Sequence, residues 1–366
     1  MSKSKYRVLV LGSYPAPYRI AVFRGLAEEY DLDIFFDTNK NEDRNKEWFG
    51  TSGDIAFDVL NSEESNKKFK HALKNIKKYK FVVSYDPLTT PALKAEIACR
   101  MKGVPYFVNC DGAIRKKHLV KDMIKRFIFK GACACFASGE QGVEYFSSYG
   151  VKKERIFKHN FTSLSDHDIL SEIVSEKEKA ELRDELCIPD GLVVLSIGQF
   201  IPRKGFDILV KAWKEIGDKA TLLLIGGGYE EQSYLEYISE HNIKGISIIG
   251  FKNKETIFKY YKASDIFVLP TREDIWGLVI NEAMANGLPV ITTDNCVAGL
   301  ELIDNDINGY IVKTESVEEL GAKLSHLLDN EELRTKMAIN NLDKISSWTI
   351  ESVVKSHLEV IKQKIG

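Results

Sequence analysis

The sequence lacks several features that would define its class at once. No stretch approaches the ~18 consecutive apolar residues of a membrane-spanning helix, and the apolar run 8–11 is too short for a signal peptide. The six cysteines have no repeated spacing of the kind found in metal sites, and no low-complexity tract or short-period repeat is present. These absences predict a cytoplasmic globular protein whose cysteines are reduced.

Composition and charge favour a folded protein of two domains. The 366 residues are 44% hydrophobic and 28% charged, which is typical of globular proteins, and the length suits two ordinary cores. Residues 1–160 contain 29 Lys and Arg against 19 Asp and Glu, whereas the remainder contains 22 against 34. This asymmetry predicts that the first domain meets an anionic partner.

Short apolar strands alternate with amphipathic helices along the whole chain. In the first half the predicted strands are 7–12, 32–36, 81–84, 105–109 and 132–138, with helices at 18–30, 90–102 and 120–130. In the second half the strands are 193–197, 221–225, 246–249, 266–269 and 290–292, with helices near 206–216, 231–241, 254–262 and 278–286. Such βα series predict two Rossmann-like, doubly wound α/β domains.

The domain boundaries follow from a polar interruption at 163–179, which we interpret as the linker. We expect an N-terminal domain at 1–165, joined by a C-terminal helix at 346–366, and a C-terminal domain at 185–345. Ligands of such folds bind outside the carboxyl ends of the strands. The expected active site is therefore a cleft between the two domains.

The most informative segment is 270–290, where a strand is followed by a helix that starts near Gly277. The free N–H groups of Gly277, Leu278 and Val279 would suit a diphosphate at this positive helix end. Asp274 precedes the helix, and Glu282 within it could accept hydrogen bonds from ribose hydroxyls. From the residues alone, a surface loop with an acidic cap and a solvated Glu282 is an equal alternative.

This segment resembles the acidic motif of retaining glycosyltransferases of family 4, which have the two-domain GT-B fold. Glu282 matches the second glutamate of that motif, which binds the ribose. Asp274 occupies the position of the first glutamate, which contacts the hydroxyls of the donor sugar, with Glu273 as a one-residue alternative. The resemblance implies donor-binding roles for Asp274 and Glu282, although the shorter aspartate is a departure.

A second stretch, 196–207, resembles the phosphate loop of the same family. Lys204 matches the lysine that binds the diphosphate, whereas Gln199 replaces the usual arginine. Arg203 is available to supply the missing positive charge, since a diphosphate needs cationic donors. Farther on, Gly250 and Phe251 resemble the turn whose backbone contacts the nucleobase. The resemblance is specific over 191–312 and diffuse over the first half.

The first half departs more from the family pattern. Tyr18 and Arg19 follow a proline-rich turn and would face the cleft on the acceptor side, although packing at a helix start is an equal alternative. Many relatives have a histidine after the strand that here ends near residue 110, and Asn109 and Asp111 occupy that neighbourhood instead. We predict that Asp111 contacts the acceptor or the donor sugar.

Two basic stretches explain the excess positive charge, at 67–80 and 115–130. Both place apolar residues at helical spacing, as a helix lying on an anionic membrane would. Packing on the core, with lysines in water, is the favoured alternative for the first stretch, and the two interpretations are close for the second. Nucleic acid is not expected as a partner, since no known binding fold accompanies the charge.

The resemblance implies a retaining, metal-independent hexosyltransferase that uses a nucleotide-diphosphate sugar, with a UDP-sugar favoured, as co-substrate. Its expected catalytic residues are Asp274, Lys204 and Asp111, and no metal or other cofactor is expected. The acceptor would be a glycan or lipid-linked saccharide at the inner face of the cell membrane, in surface-polysaccharide biosynthesis. The alternatives are an epimerase or hydrolase of the same fold, or a non-catalytic subunit that binds sugar nucleotides or glycans.

Overall fold

The computed structural model describes residues 5–39, 55–112 and 118–366, and the chain divides into two compact units. The first unit comprises Met1–Ser163 and Trp348–Gly366, and the second comprises Leu164–Ser347. Each unit has its own parallel β-sheet with helices packed on it.

The first unit has a seven-stranded sheet in the order β3-β2-β1-β4-β5-β6-β7, with all pairs parallel. Its strands are β1 (Arg7–Gly12), β2 (Asp31–Phe36), β3 (Asp58–Val59), β4 (Phe81–Tyr85), β5 (Tyr106–Cys110), β6 (Ala134–Ser138) and β7 (Ile156–His159). Strand β1 lies inside the sheet, between β2 and β4, and alternate residues of a strand point to opposite faces. Val8 and Val10 accordingly pack in one core, and Leu9 and Leu11 in another.

Among the described residues, six helices cover the two faces of this sheet. They are α1 (Pro17–Ala27), α2 (Glu63–Lys74), α3 (Thr90–Lys102), α4 (Leu119–Gly131), α5 (Gly139–Ser148) and, from the end of the chain, α14 (Ile350–Ile365). Val353, Val360 and Ile361 of α14 are buried in the same core as Phe23 of α1, so α14 belongs to the first unit.

The second unit has a six-stranded parallel sheet in the order β10-β9-β8-β11-β12-β13. Its strands are β8 (Val193–Gln199), β9 (Thr221–Gly227), β10 (Ile246–Ile249), β11 (Ile266–Leu269), β12 (Val290–Thr293) and β13 (Gly309–Val312). Its helices are α6 (Glu176–Leu186), α7 (Phe206–Trp213), α8 (Glu231–Glu240), α9 (Lys254–Lys262), α10 (Leu278–Ala285), α11 (Val297–Leu302), α12 (Val317–Leu328) and α13 (Glu331–Ile345).

Both sheets reverse their strand order at one point. In the first sheet the chain moves outward from β1 to β3 and then returns to place β4 on the other side of β1. In the second sheet the same reversal lies between β8 and β11. A reversal of this kind opens a crevice at the carboxyl ends of the two central strands, where ligands of open α/β sheets bind.

The predicted fold class of two Rossmann-like, doubly wound domains is confirmed. The chain passes from the first unit to the second at Ser163 and Leu164, at the start of the predicted linker 163–179, and α6 begins at Glu176 within that linker. Eight of the eleven residues of α6 are charged, so the helix shows little apolar periodicity. The side chain of Ser175 caps it by accepting a hydrogen bond from the N–H of Glu178, and Arg183 anchors it through Asp265 and the carbonyl of Ala263.

Candidate functional site

The loop after β8 is locked against the loop after β11, on either side of the reversal in the second sheet. A 3₁₀ turn at Pro202–Lys204 leads into Gly205, whose φ is +68°. A Cβ atom at Gly205 would lie 2.1 Å from the carbonyl oxygen of Pro270, so the close approach requires glycine. This contact places Lys204 beside the segment that carries Asp274.

Lys204 and Asp274 form a largely buried ion pair. The Lys204 Nζ lies 2.5 Å from Asp274 Oδ2, and the two side chains are only 13% and 10% exposed. Burial raises the pKa of Asp274, but Lys204, with help from Arg203 and the N–H of Trp276, holds that pKa below its usual value. The aspartate is therefore a carboxylate at neutral pH, and it fixes the lysine at the mouth of the crevice.

Two arginines near this ion pair, Arg272 and Arg203, make different contacts. Arg272 makes two hydrogen bonds, of 2.8 and 2.9 Å, to the carboxylate of Asp207 at the start of α7, which ties the two loops together. Arg203 donates to the carbonyl of Glu273 at 2.8 Å and lies 4.0 Å from Asp274 Oδ2. Its side chain is 40% exposed, so Arg203 is the more accessible of the two cations beside Asp274.

The start of α10 forms the second wall of this site. Gly277 precedes the helix with φ +101°, and an added Cβ would lie 2.8 Å from Cys296 Sγ. The N–H of Trp276 donates to Asp274 Oδ1 at 3.3 Å, and the Trp276 indole donates to Asn281 at 2.9 Å. These contacts fix the first turn of the helix, whose N–H groups lack acceptors within the helix.

Glu282 lies on α10 one turn after Leu278 and is half-buried. The hydroxyl of Tyr261 donates to Glu282 Oε2 at 3.0 Å and is 3.3 Å from the carbonyl of Val279. Burial, and then the charge of Glu282, raise the pKa of Tyr261, so its hydroxyl stays a donor. Tyr261 comes from α9 and was not among the residues predicted from the sequence.

The remaining predicted donor residues lie on the same edge of the sheet, at the ends of β8 and β10. Gln199 ends β8, whereas Gly250 and Phe251 directly follow β10. β10 is two strands away from β8, which corresponds to about 10 Å. Phe251 is 38% exposed, and Gly250 has open space where a Cβ would be.

In the first unit the predicted acceptor-side residues form one hydrogen-bond network. Arg19 is buried, and its guanidinium contacts Asp86 Oδ2 at 2.7 Å and Asp111 Oδ2 at 2.5 Å. Tyr18 donates to Asp111 Oδ2 at 3.0 Å, and the Asn109 amide donates to Asp111 Oδ1 at 2.6 Å. The structure thus brings Tyr18, Arg19, Asn109 and Asp111 together, at the carboxyl ends of β1, β4 and β5.

Asp86 belongs to this network and was missed from the sequence. It follows β4 directly and has φ +96°, a backbone conformation that is rare outside glycine. The N–H and hydroxyl of Ser13 donate to Asp86 Oδ2 at 3.1 and 2.6 Å. Burial raises the pKa of Asp86 even though Arg19 lowers it. A carboxylate at the end of a strand beside β1 was the available signal.

Two buried histidines line the same small cavity as Tyr18, Arg19 and Asp111. The rings of His159, from β7, and His357, from α14, lie 4.9 Å apart. Burial lowers the pKa of His159 to about 4, and burial with the neighbouring His159 lowers that of His357. Both rings are therefore neutral at pH 7. No sequence motif marked them, because their proximity arises only when α14 returns to this unit.

The sequence has three Asp-x-Asp pairs, at 31/33, 166/168 and 304/306, and one aspartate of each pair is bound to a cation. Asp33 contacts Arg7 at 2.7 Å, Asp168 contacts Lys254 at 2.8 Å, and Asp304 contacts Lys344 at 2.5 Å. Across residues 5–39, 55–112 and 118–366, no three His, Cys, Asp or Glu side chains converge as metal ligands. The expectation of metal-independent chemistry stays a prediction.

The fold is that of glycosyltransferases with two Rossmann-like domains. The crystal structure of Anabaena HepE in complex with UDP is similar over 98% of this chain and 100% of that one, with a TM-score of 0.79 and 17% identity. At that identity the likeness concerns the fold alone.

A family-model match lies within the second unit. Residues 178–343 match the family model described as glycosyl transferases group 1. An uncharacterized glycosyltransferase of Haemophilus influenzae is 28% identical over 47% of this chain, which spans about half (50%) of that relative's length. An N,N'-diacetylbacillosaminyl-diphospho-undecaprenol alpha-1,3-N-acetylgalactosaminyltransferase of Campylobacter jejuni is 25% identical over 68% of this chain and 66% of that protein.

Proposed function

We propose that this protein is a glycosyltransferase that transfers a sugar from a nucleotide-diphosphate sugar to a glycan or lipid-linked saccharide. The observation that carries the proposal is the pairing of Lys204 with Asp274 at the strand reversal of the second sheet, beside the start of α10. Cationic side chains and a helix start in one crevice suit a diphosphate. The match of residues 178–343 to glycosyl transferases group 1 supports the same conclusion.

The donor would bind entirely on the second unit. The diphosphate would lie against Lys204, Arg203, Gln199 and the N–H groups of Gly277, Leu278 and Val279. Since charge builds up on the diphosphate as the anomeric carbon–oxygen bond breaks, fixed positive groups there would stabilise the transition state. This arrangement would supply the charge that a metal ion provides in other nucleotide-binding sites, so we propose a metal-independent reaction.

The carboxylates near the diphosphate would position the sugar and the ribose. Asp274 is held as a carboxylate by Lys204, so it can accept hydrogen bonds from hydroxyls of the donor sugar. Glu282 would accept from the ribose hydroxyls, with Tyr261 fixing its orientation. Gly250 and Phe251 would contact the base. UDP is the favoured nucleotide, as the resemblance to family 4 implies.

The acceptor would bind on the first unit at Asp111, with Tyr18, Asn109 and Arg19 supporting it. Two carboxylates neutralise Arg19, so this network presents oxygen acceptors and suits neutral sugar hydroxyls better than phosphate. The Campylobacter relative, whose name specifies a diphospho-undecaprenol substrate, supports a lipid-linked acceptor. A place in surface-polysaccharide biosynthesis is proposed from the resemblance to family 4. A retaining outcome is proposed from the resemblance to family 4.

The test is nucleotide release from UDP-sugars with and without saccharide acceptors. We expect release that depends on the acceptor, is abolished by Glu282→Ala, and is unchanged by Glu240→Ala, a substitution at an exposed glutamate of α8. Release of equal rate without any acceptor would replace the proposal with a hydrolase. Binding of a nucleotide sugar without turnover on any acceptor would indicate a non-catalytic subunit.

A further inference from the structure

Helix α4 presents an apolar face to solvent instead of to the core. Leu119 is 88% exposed, Met123 73% and Phe127 50%, and Val120 and Ile124 are exposed as well. Because these five positions follow the spacing of one side of a helix, they form a continuous strip, which we call the α4 face. Single exposed apolar residues are common, but a strip of five on one helix is not.

The opposite side of α4 makes its contacts with the first unit. Ile128 and Phe129 are buried in the core, and the Lys125 ammonium lies 5.2 Å from the ring centres of Tyr145 and Tyr149. The helix is therefore fixed through this inner side, and the apolar residues of the α4 face are not needed to hold it. This geometry contradicts core packing as the explanation of the apolar residues at 119–127.

Helix α3 adds a cation and two exposed apolar residues next to the α4 face. The Arg100 guanidinium donates to the carbonyl of Phe127 at 2.7 Å and lies 4.1 Å from the centre of its ring. Ile97 and Met101, one turn apart on α3, are 42% and 81% exposed. The two helices together thus expose apolar side chains beside a fixed guanidinium.

Positive charge surrounds the apolar strip. Lys121, Arg126 and Lys130 of α4 are exposed, while its single acidic residue, Asp122, accepts a hydrogen bond from Tyr149 at 3.2 Å. The basic residues Arg115–Lys117 of the same stretch lie outside the described residues. An apolar strip bordered by cations suits the surface of an anionic bilayer. The apolar side chains can enter the bilayer surface, and the cations can contact the anionic head groups.

The other basic stretch shows what an ordinary surface helix looks like in this protein. In α2 the apolar Phe69 and Ala72 are buried, and Lys67, Lys70 and Lys74 are exposed. The core-packing interpretation of that stretch is therefore confirmed. Charge is similar in the two helices, so the difference lies in where the apolar residues point.

We propose that the α4 face docks the protein on the surface of an anionic membrane, with Leu119, Met123 and Phe127 entering the head-group region. The cations Lys121, Arg126 and Lys130 then contact lipid phosphates. This inference goes beyond the proposed transferase activity and does not depend on it. In the described ranges, no helix combines the length and apolar character needed to cross a bilayer, and docking of this kind needs none.

Cosedimentation with vesicles tests the docking directly. The full chain should bind vesicles of phosphatidylcholine with phosphatidylglycerol, and bind phosphatidylcholine alone far more weakly. The triple variant Leu119→Ser, Met123→Ser and Phe127→Ser should lose most of this binding. The matched control, Ile307→Ser with Ile339→Ser, removes exposed apolar residues of the second unit and should bind as wild type.

A second variant tests the contribution of the cations separately from that of the apolar residues. Lys121→Gln, Arg126→Gln and Lys130→Gln together should weaken binding about a hundredfold, as expected for three cations near an anionic surface. Lys70→Gln, Lys74→Gln and Lys77→Gln should change it much less. Wild-type binding that the serine variant leaves intact, or no vesicle binding at all, would overturn the proposal. So would a dimer in solution that the serine variant dissociates.

Discussion

The Lys204–Asp274 ion pair contributes to stability, and in the proposed function it would also position the ligand. Lys204→Met would leave the Asp274 carboxylate largely buried without its main partner, which should cost about 3 kcal/mol in free energy of unfolding. The double variant Lys204→Met with Asp274→Asn removes the buried charge as well. It should therefore be more stable than Lys204→Met alone.

Urea denaturation of the wild type, both single variants and the double variant measures this coupling. If the stability losses of the two single variants simply add, the pair is not coupled and this description of the site is wrong. Lys214→Met, at an exposed position after α7, serves as the control and should leave stability unchanged.

Position 277 requires glycine for two reasons, its backbone conformation and its closeness to Cys296. Its φ of +101° disfavours any side chain, and a Cβ would meet Cys296 Sγ at 2.8 Å. Gly277→Ala should therefore lower the free energy of unfolding by about 1–3 kcal/mol. Gly250→Ala, where a Cβ meets open space, should cost less than ~1 kcal/mol. Thermal denaturation compares them, and equal losses would contradict the geometry.

At the scale of elements, strands with continuous apolar runs were predictable and polar elements were not. The central strands β1, β8 and β11 are buried along most of their length, so their sequences differ clearly from their surroundings. The edge strand β7 has three residues that are not buried, and α6 has one buried residue. Such elements depend on caps, ion pairs and neighbouring strands, which a local pattern does not contain.

The contact of β7 with α14 predicts a pH-dependent stability of the first unit. Burial lowers the pKa of His159 from 6.5 to about 4, so the unfolded chain binds more protons between these values. Stability should therefore fall as the pH decreases from 7 to 5, by about 2 kcal/mol from His159 alone. The lowered pKa of His357 acts in the same direction.

Chemical denaturation at pH 7 and pH 5 checks this prediction. His159→Asn should reduce the loss of stability between the two pH values, whereas His71→Asn, at an exposed position of α2 in the same unit, should not. An unchanged pH dependence in His159→Asn would show that the histidine is not held neutral by burial.

At the scale of the whole molecule, most of the site residues that the sequence indicated lie near the strand reversals of the two sheets. Lys204 and Asp274 follow β8 and β11, Arg19 lies in the helix after β1, and Asp111 follows β5. Each stands near the end of a predicted strand, and the resemblance to the family motifs marked Lys204 and Asp274 there. His357 escaped because it belongs to the last helix of the chain, and its neighbours come from strands far away in sequence.

The central claim is that the second unit binds a nucleoside diphosphate through Lys204. The most direct measurement is thermal stabilisation by UDP, GDP, dTDP and ADP, where a ligand at 100 times its Kd adds about 2.7 kcal/mol. We predict a clear shift with one nucleotide, with UDP favoured, that Lys204→Met loses and Lys214→Met keeps. No shift with any nucleotide, or an equal shift in Lys204→Met, would contradict the claim.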